Sequence, residues 1–355
     1  MEFTALNRYY KIKNGNILPF SELRKLRPLL VGQDLKIVND KENIAYAEQL
    51  AKRGMEVVPI RKNPIFPGFL KREDFPRRVI MEMTSRCNFL CRMCPQQNLK
   101  RPRMDMPGEK YRRIIDEIDV YGIEGLWLYH LGEALLHPEF CENIKHINKK
   151  NNLGVIWMST NGRNFTEEYI KLVLDSNIDF INYSAHAVTE RTYNTVAPEG
   201  NFSFVQDNLE NLYRLKGLSK EPKKPFLHVQ MIEQETTKHE VDDFIKKHYL
   251  RAEIVSVNML EYANMPNNVF GAQQRNRAPL SSCVRVSRND CFVFSNGEVT
   301  LCDFAYNGEL SLGNINEETL YQIWNGDRRK FILNLNEKKK MSNFEFCSRC
   351  TDYDI

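Results

Sequence analysis

Long apolar runs are missing from this sequence. Nowhere in its 355 residues does a hydrophobic stretch approach the roughly 20 residues that span a bilayer, so a helical membrane protein is excluded. The opening Met1-Glu2-Phe3-Thr4 has neither the basic start nor the apolar segment of a secretory signal, and the expected location is cytoplasmic. Net charge is slight and dispersed, +4 from 50 Lys and Arg against 46 Asp and Glu. No basic stripe interleaved with aromatics marks a nucleic-acid surface. What is present is ordinary for a globular chain, 42% hydrophobic and 27% charged. The length suits one barrel-sized domain with a smaller module, or two to three ordinary domains. Cysteine is the exception: nine of them in a reducing compartment point to metal or catalysis rather than to bridges.

Three of the nine fall within Cys87-Asn88-Phe89-Leu90-Cys91-Arg92-Met93-Cys94, after the apolar run Val79-Ile80-Met81-Glu82-Met83. Three thiolates on so short a loop can reach three corners of one inorganic cube. A [4Fe-4S] cluster normally takes four Cys ligands, so this loop leaves one iron open to a group that is not protein. Zinc competes for the same thiolates, but a structural zinc wants four tetrahedral ligands and the loop contains no His.

The Cys-x3-Cys-x2-Cys spacing resembles the signature of the radical S-adenosylmethionine (radical SAM) superfamily. Leu131-Gly132-Glu133-Ala134-Leu135-Leu136-His137-Pro138 is similar to that family's Gly-Glu-Pro-Leu segment, and Ser159-Thr160-Asn161-Gly162 and Tyr183-Ser184 fall at its later strand ends. Three positions depart from the pattern: Met93 replaces an aromatic, Leu131 a glycine and Ala134 a proline. The resemblance implies that the open iron binds the amino and carboxylate groups of SAM, and that one electron from a flavodoxin- or ferredoxin-type reductant releases a 5′-deoxyadenosyl radical. It further implies Gly132 and Glu133 at the SAM amino group, Ser184 at the ribose and Asn161 nearby. The cofactor supplies the hard chemistry, and the protein positions it and excludes water.

Strand and helix patterns alternate from about residue 78 to 260. Candidate strands are Val79 to Met83, Gly125 to Tyr129, Val155 to Met158, Phe180 to Ser184, Leu227 to Ile232 and Ile254 to Met259. Apolar residues recur at three and four between them, as in Tyr111, Ile114, Ile115 and Ile118. The predicted fold class is α/β, a parallel sheet with helices outside. Six units are too few for a closed eight-unit barrel and match the partial (β/α)6 TIM-like barrel of the radical SAM family, expected over 77–262. Sites of such barrels lie at the C-terminal strand ends, where the cysteine loop, Gly132, Glu133, Asn161 and Ser184 all fall. In Leu227-His228-Val229-Gln230-Met231-Ile232, His228 and Gln230 share one face and are candidate lumen residues near a substrate. Glu82, Tyr129, His130, His186, Asn258 and Glu261 are further rim candidates. Before the barrel, residues 1–70 form an expected extension with a β-α-β pattern: strands at Leu35 to Val38 and Met55 to Ile60 and a helix at Glu42 to Arg53. It contains no glycine-rich phosphate loop, which removes a dinucleotide site.

Five more cysteines follow the barrel, four of them in a recognisable grouping. Cys283 and Cys302 flank the hairpin pattern Phe292-Val293-Phe294 and Val299-Thr300-Leu301 around Ser295-Asn296-Gly297. Cys347-Ser348-Arg349-Cys350 adds a Cys-x2-Cys, and Thr319 to Asn325 reads as a short amphipathic helix. Together, over 276–355, these resemble the twitch domain, a shortened SPASM domain of radical SAM enzymes. The resemblance implies one auxiliary [4Fe-4S] cluster held by Cys283, Cys302, Cys347 and Cys350; a zinc ribbon uses the same thiolates. Cys291, eleven residues before Cys302, competes with Cys283 for the first ligand position, and the distance from Cys283 to Gly297 fits the family pattern.

Cys141 and Cys291 are then left over. Free Cys is commonly a small buried apolar residue, but a radical epimerase must return a hydrogen atom to carbon, for which a thiol is the natural donor. A dehydrogenase needs no donor; it needs a route for one more electron, which an auxiliary cluster provides. The grouping resembles the radical SAM enzymes that oxidise or epimerise a carbinol of a small-molecule sugar or aminocyclitol. A peptide-modifying maturase of the same superfamily and a non-catalytic iron-sulfur protein are the alternatives.

Overall fold

The computed structural model describes residues 74–217, 225–249, 251–259, 281–348 and 350, with the short segments 9–10, 12–13 and 56–57. Parallel strands form where the alternation predicts them: β1 (Arg78–Met81), β2 (Gly125–Leu128), β3 (Val155–Thr160), β4 (Phe180–Ser184), β5 (Phe226–Glu233) and β6 (Ile254–Met259). Between them run α1 (Gly108–Tyr121), α2 (Phe140–Ile147), α3 (Glu167–Leu174), α4 (Glu190–Val196), α5 (Phe202–Lys216) and α6 (Val241–His248). Each longer helix turns its apolar stripe inward. Tyr111, Ile114, Ile115 and Ile118 are buried on α1, and Val205, Leu209 and Leu212 on α5. They meet strand residues such as Val79, Leu126, Met158, Ile181 and Val229, all fully enclosed. Burial of each such side chain contributes about 1.5–3 kcal/mol. Tyr183 identifies the helix side of β4, because its hydroxyl donates to the Val205 carbonyl on α5 at 2.6 Å. Its neighbours Asn182 and Ser184 therefore point to the lumen.

The sheet stays open and runs past β1. Its order is β6-β5-β4-β3-β2-β1, continued by β7 (Asp290–Val293), β8 (Glu298–Thr300) and β9 (Ser311–Asn314). The β7–β8 hairpin is the one expected around Gly297, with Phe292 opposite Thr300 and Val293 opposite Val299. Its placement is new. β7 pairs parallel with β1, Asp290 beside Arg78 through Val293 beside Met81, and the Arg78 guanidinium grips the buried Asp290 carboxylate at 2.5 and 2.9 Å. A lone β1 edge would leave unpaired N–H and C=O groups, and the hairpin satisfies them. The C-terminal segment is thus joined to the barrel sheet rather than standing beside it.

α7 (Val284–Ser287), α8 (Leu320–Asn325), α9 (Asp327–Glu337) and the short α10 (Glu345–Ser348) follow in this part. α8 starts at a capping box in which Thr319 and Gln322 serve each other's backbone N–H. Glu117 of α1 accepts from Leu320 N and Tyr321 N at 3.1 and 2.8 Å, tying α8 to the barrel.

Of the N-terminal extension, the strand and helix expected at 35–53 lie outside the described residues. Glu56–Val57 is a strand whose partner is Ile12–Lys13, antiparallel, and Tyr9–Tyr10 pairs antiparallel with Ser256 and Val255 at the outer edge of β6. No helix among the described residues is long and apolar enough to cross a membrane.

Candidate active site

The cysteine loop is held in place by its non-cysteine residues. Phe89 is buried and meets the Tyr193 ring edge-on at 6.5 Å, and Arg92 N donates to Val196 O at the end of α4 at 2.9 Å. Gln96 Nε2 reaches back to Ser85 O at 3.1 Å. Cys87, Cys91 and Cys94 are partly buried and close enough that each of the first two feels the charge of the third. Burial and that mutual repulsion push the Cys87 thiol up to about 12 and raise Cys91, and burial raises Cys94. Thiolates so placed need a bound cation to persist. Among the described residues no three Cys, His, Asp or Glu side chains converge as a single metal ion requires. The donor chemistry of three thiolates on one short loop suits a multi-iron group.

Gly132 and Glu133 sit against this loop. A Cβ on Gly132 would lie 1.9 Å from Thr84 O and 2.9 Å from Arg86 O, so only glycine allows the end of β2 to approach the cysteine loop. Glu133 N donates to Arg86 O at 2.9 Å across that contact. The Glu133 carboxylate is buried and accepts from Thr160 Oγ1 (2.8 Å), Asn161 N (2.7 Å) and Leu135 N (3.4 Å). Burial raises its pKa to about 7 against those hydrogen bonds. A carboxylate offers about four lone-pair positions, so one is left for a cationic partner such as an ammonium. Asn161 Nδ2 bridges Asn88 Oδ1 at 2.8 Å and the Cys87 sulfur at 3.8 Å. Gly162 follows with φ +81°, turning the chain sharply after β3. Ser184 closes β4, partly buried, beside Gln230.

Cross-strand register stacks the lumen side chains in layers. Trp127, Trp157, Phe180 and Phe226 stand side by side on β2 to β5, with Trp157 and Phe180 stacked at 4.5 Å and Phe226 5.3 Å from Phe180. One step toward the rim come Ser159, Asn182 and His228, then Ser184, Gln230 and Ser256. Asn182 Nδ2 donates to Ser159 Oγ at 3.2 Å and Gln230 Oε1 at 2.9 Å. His228 Nε2 meets Ser256 Oγ at 2.6 Å, and burial lowers its pKa to about 3, so the ring is neutral. The shared face of His228 and Gln230 is as the alternation predicts. Ser159, Asn182 and Ser256 were missed; their signal is a polar residue at every second position of an otherwise apolar strand.

Among the rim candidates, Glu82 and His130 join one ion-paired node, and Tyr129 is 39% exposed. His186 is buried with φ +58°, and its Nδ1 has no partner among the described residues. The Asn258 side chain and Glu261 lie outside the described residues.

The C-terminal cysteines gather around Cys283. The charge of Cys283 is felt at both Cys302 and Cys347, and Cys347 also feels Cys350. Cys283 caps α7, with its N–H on Asn336 Oδ1 at 2.6 Å. Cys291 is elsewhere. It is 0% exposed on β7 beside Val79, on the helix face, with Arg329 and Glu117 as its charged neighbours. Cys141 lies on α2, where its charge reaches Tyr169 of α3. Both leftover thiols therefore lie on the outer, helix side of the sheet, away from the lumen side chains.

Residues 81–220 match the Radical SAM superfamily, and residues 283–351 match an iron-sulfur cluster-binding domain, SPASM. Residues 81–220 are thus similar to a radical SAM domain and residues 283–351 to a SPASM-type iron-sulfur domain. The first implies a [4Fe-4S] cluster and SAM, and the second implies auxiliary iron-sulfur.

Among individual proteins, the tungsten-containing aldehyde ferredoxin oxidoreductase cofactor-modifying protein of Pyrococcus furiosus is 29% identical over 105 residues, 29% of each chain. The match thus spans under a third of that relative. Similar solved folds include BtrN in complex with AdoMet and 2-DOIA (17% identity, 79% of this chain and 95% of that one, TM-score 0.52). Another is anSMEcpe with bound AdoMet and Cp18Cys peptide (15%, 79% and 92%, 0.56). Streptococcus suis SuiB bound to S-adenosylmethionine is a third (12%, 87% and 82%, 0.53). At these identities they share a fold with this chain.

Proposed function

We propose that this radical SAM enzyme dehydrogenates a carbinol of a sugar or aminocyclitol. The observation that carries the reading is the lumen, with an aromatic floor under a layer of carboxamides and hydroxyls. Ser159, Asn182, Gln230 and Ser256 can exchange hydrogen bonds with substrate hydroxyls, and the floor of Trp127, Trp157, Phe180 and Phe226 suits the apolar face of a ring and keeps water out. Oxidation is favoured over epimerisation because Cys141 and Cys291 both lie on the helix side of the sheet.

When bound, the cofactors supply a 5′-deoxyadenosyl radical that takes one hydrogen atom from carbon and an auxiliary acceptor for the remaining electron, so that loss of the hydroxyl proton leaves a ketone. The residues do the positioning. Cys87, Cys91 and Cys94 would hold the first cluster, and Cys283, Cys302, Cys347 and Cys350 the second. Glu133 offers its remaining acceptor position to the SAM ammonium, with Gly132 giving the clearance and Asn161 and Ser184 flanking it. Neutral His228 orients Ser256, and Gln230 and Asn182 orient the reacting hydroxyl.

The test is 5′-deoxyadenosine release by the anaerobically reconstituted, reduced protein with pooled sugars and aminocyclitols, and separately with pooled peptides. Stimulation by the first pool with a ketone product supports the reading. Stimulation by peptides alone sinks it in favour of a maturase, and no release with intact clusters and SAM would favour a non-catalytic iron-sulfur protein.

A further inference from the structure

Glu82 lies one residue beyond β1, 1% exposed, and binds parts of the chain that are far apart in sequence. Arg101, seven residues after Cys94, takes both of its oxygens at 2.7 Å. His130 Nδ1 lies at 3.0 Å and Leu131 N at 3.4 Å. From the β7–β8 turn, Ser295 donates through Oγ at 2.8 Å and N at 3.1 Å. Burial alone would raise the Glu82 pKa, but the hydrogen bonds and charge of His130 and Arg101 outweigh it and hold it at about 2. Every acceptor position is engaged within the protein, so this is no substrate contact.

Arg101 and His130 both reach onward to the same loop. Arg101 Nε donates to Tyr306 O at 2.7 Å, and His130 Nε2 faces Asp303 O at 3.2 Å. Those carbonyls bracket the segment that leaves Cys302. Beside them, Lys100 N donates to Asn307 Oδ1 at 2.7 Å, and Asn307 Nδ2 to Asn98 O at 3.3 Å. The stretch following the first cysteine group is thus zipped to the stretch following Cys302, with one buried carboxylate at the centre. A buried ion-paired group is costly to assemble, and its best-attested use is to specify register.

We propose that Glu82 is a positioning residue that registers the Cys302 loop against the Cys87–Cys94 loop and so sets the separation of the two cluster sites. This rests on the reading of Cys302 as a cluster ligand. Electron transfer between two centres weakens steeply with distance, so a displaced loop uncouples substrate oxidation from SAM cleavage without touching SAM itself.

The first test needs no cluster. In the cluster-free protein, site-resolved thiol labelling compares Cys302, 6% exposed, with Cys291, 0% exposed. Glu82→Gln and His130→Asn should each speed Cys302 labelling about tenfold while Cys291 stays protected, the mark of a local opening. Unchanged Cys302 labelling in both variants overturns the proposal. So does equal exposure of Cys291, which would make the node a support of the whole sheet.

In reconstituted protein, both variants should keep SAM cleavage, lose about tenfold in ketone formed per 5′-deoxyadenosine and show a changed auxiliary-cluster EPR signal. Wild-type coupling and EPR in both variants would overturn it as well. If no carbinol is oxidised at all, the dehydrogenase reading fails while the labelling result stands. If Cys302→Ser leaves the iron content unchanged, the ligand assignment fails separately.

Discussion

Gly132→Ala tests the closest backbone approach in the site. Nothing in the glycine's own conformation forbids alanine, since its φ lies outside the left-handed region. The obstacle is external: the new Cβ would sit 1.9 Å from Thr84 O and 2.7 Å from Thr84 C, backbone atoms that cannot swing aside. Ordinary carbon–oxygen contact needs more than an ångström beyond that, so the end of β2 and the start of the cysteine loop must separate. Overpacking of this kind costs about 1–3 kcal/mol. Separation also stretches the Glu133 N to Arg86 O bond, now 2.9 Å, worth about 0.5–1.5 kcal/mol. Alanine returns about 0.4–1 kcal/mol by restricting the unfolded chain, leaving a net loss of about 0.5–4 kcal/mol. Urea unfolding of cluster-free protein measures this directly. Glu133 moves with the strand, so SAM affinity of the reconstituted protein, read by calorimetry, should fall at least about tenfold. Stability within about 0.5 kcal/mol of wild type, with unchanged SAM affinity, would refute the close-approach argument.

Further outcomes follow from the same geometry. Glu133 has a folded pKa raised from 4.5 to about 7, so the folded state holds its proton through that window and stability falls as pH rises from 4.5 through 7. Glu133→Gln should make cluster-free protein more stable at pH 8, by up to about 3 kcal/mol, and remove that slope, while the reconstituted variant loses SAM binding. Asn182→Leu and Gln230→Leu should each raise KM for a polyol substrate about 10- to 100-fold with SAM binding intact; an unchanged KM would remove them from the substrate site. Cys141→Ala should leave turnover within about twofold, because a partly buried helical position away from the lumen touches no reacting group. Cys291→Ala should lower stability by about 1 kcal/mol through its small cavity and spare turnover, so loss of turnover in either stable variant would restore the thiol-donor idea. Thr319→Ala breaks the α8 capping box and should cost about 1 kcal/mol in a thermal or urea melt.

The cysteine spacings, the strand alternation and the helical stripes were all legible in the sequence, because each is a relation among residues close together along the chain. The spacing of Cys87, Cys91 and Cys94 groups three thiols on one loop, and His228 and Gln230 announce a shared face by alternating with Leu227, Val229 and Met231. Thr319 and Gln322 mark the start of α8 in the same local way. Other features depend on which distant segments meet. Asn182 touches Gln230 only because β4 and β5 pair in one register. Cys291 could have been a ligand, a donor or core until β7 paired with β1 beside Val79 and turned it to the helices. Glu82 looked like a rim residue, and packing gave it Arg101, His130 and, 213 positions away, Ser295. Short-range periodicity chooses the elements and the cofactor chemistry; hydrogen-bonded register and desolvation, which act across the chain, decide what each polar side chain faces.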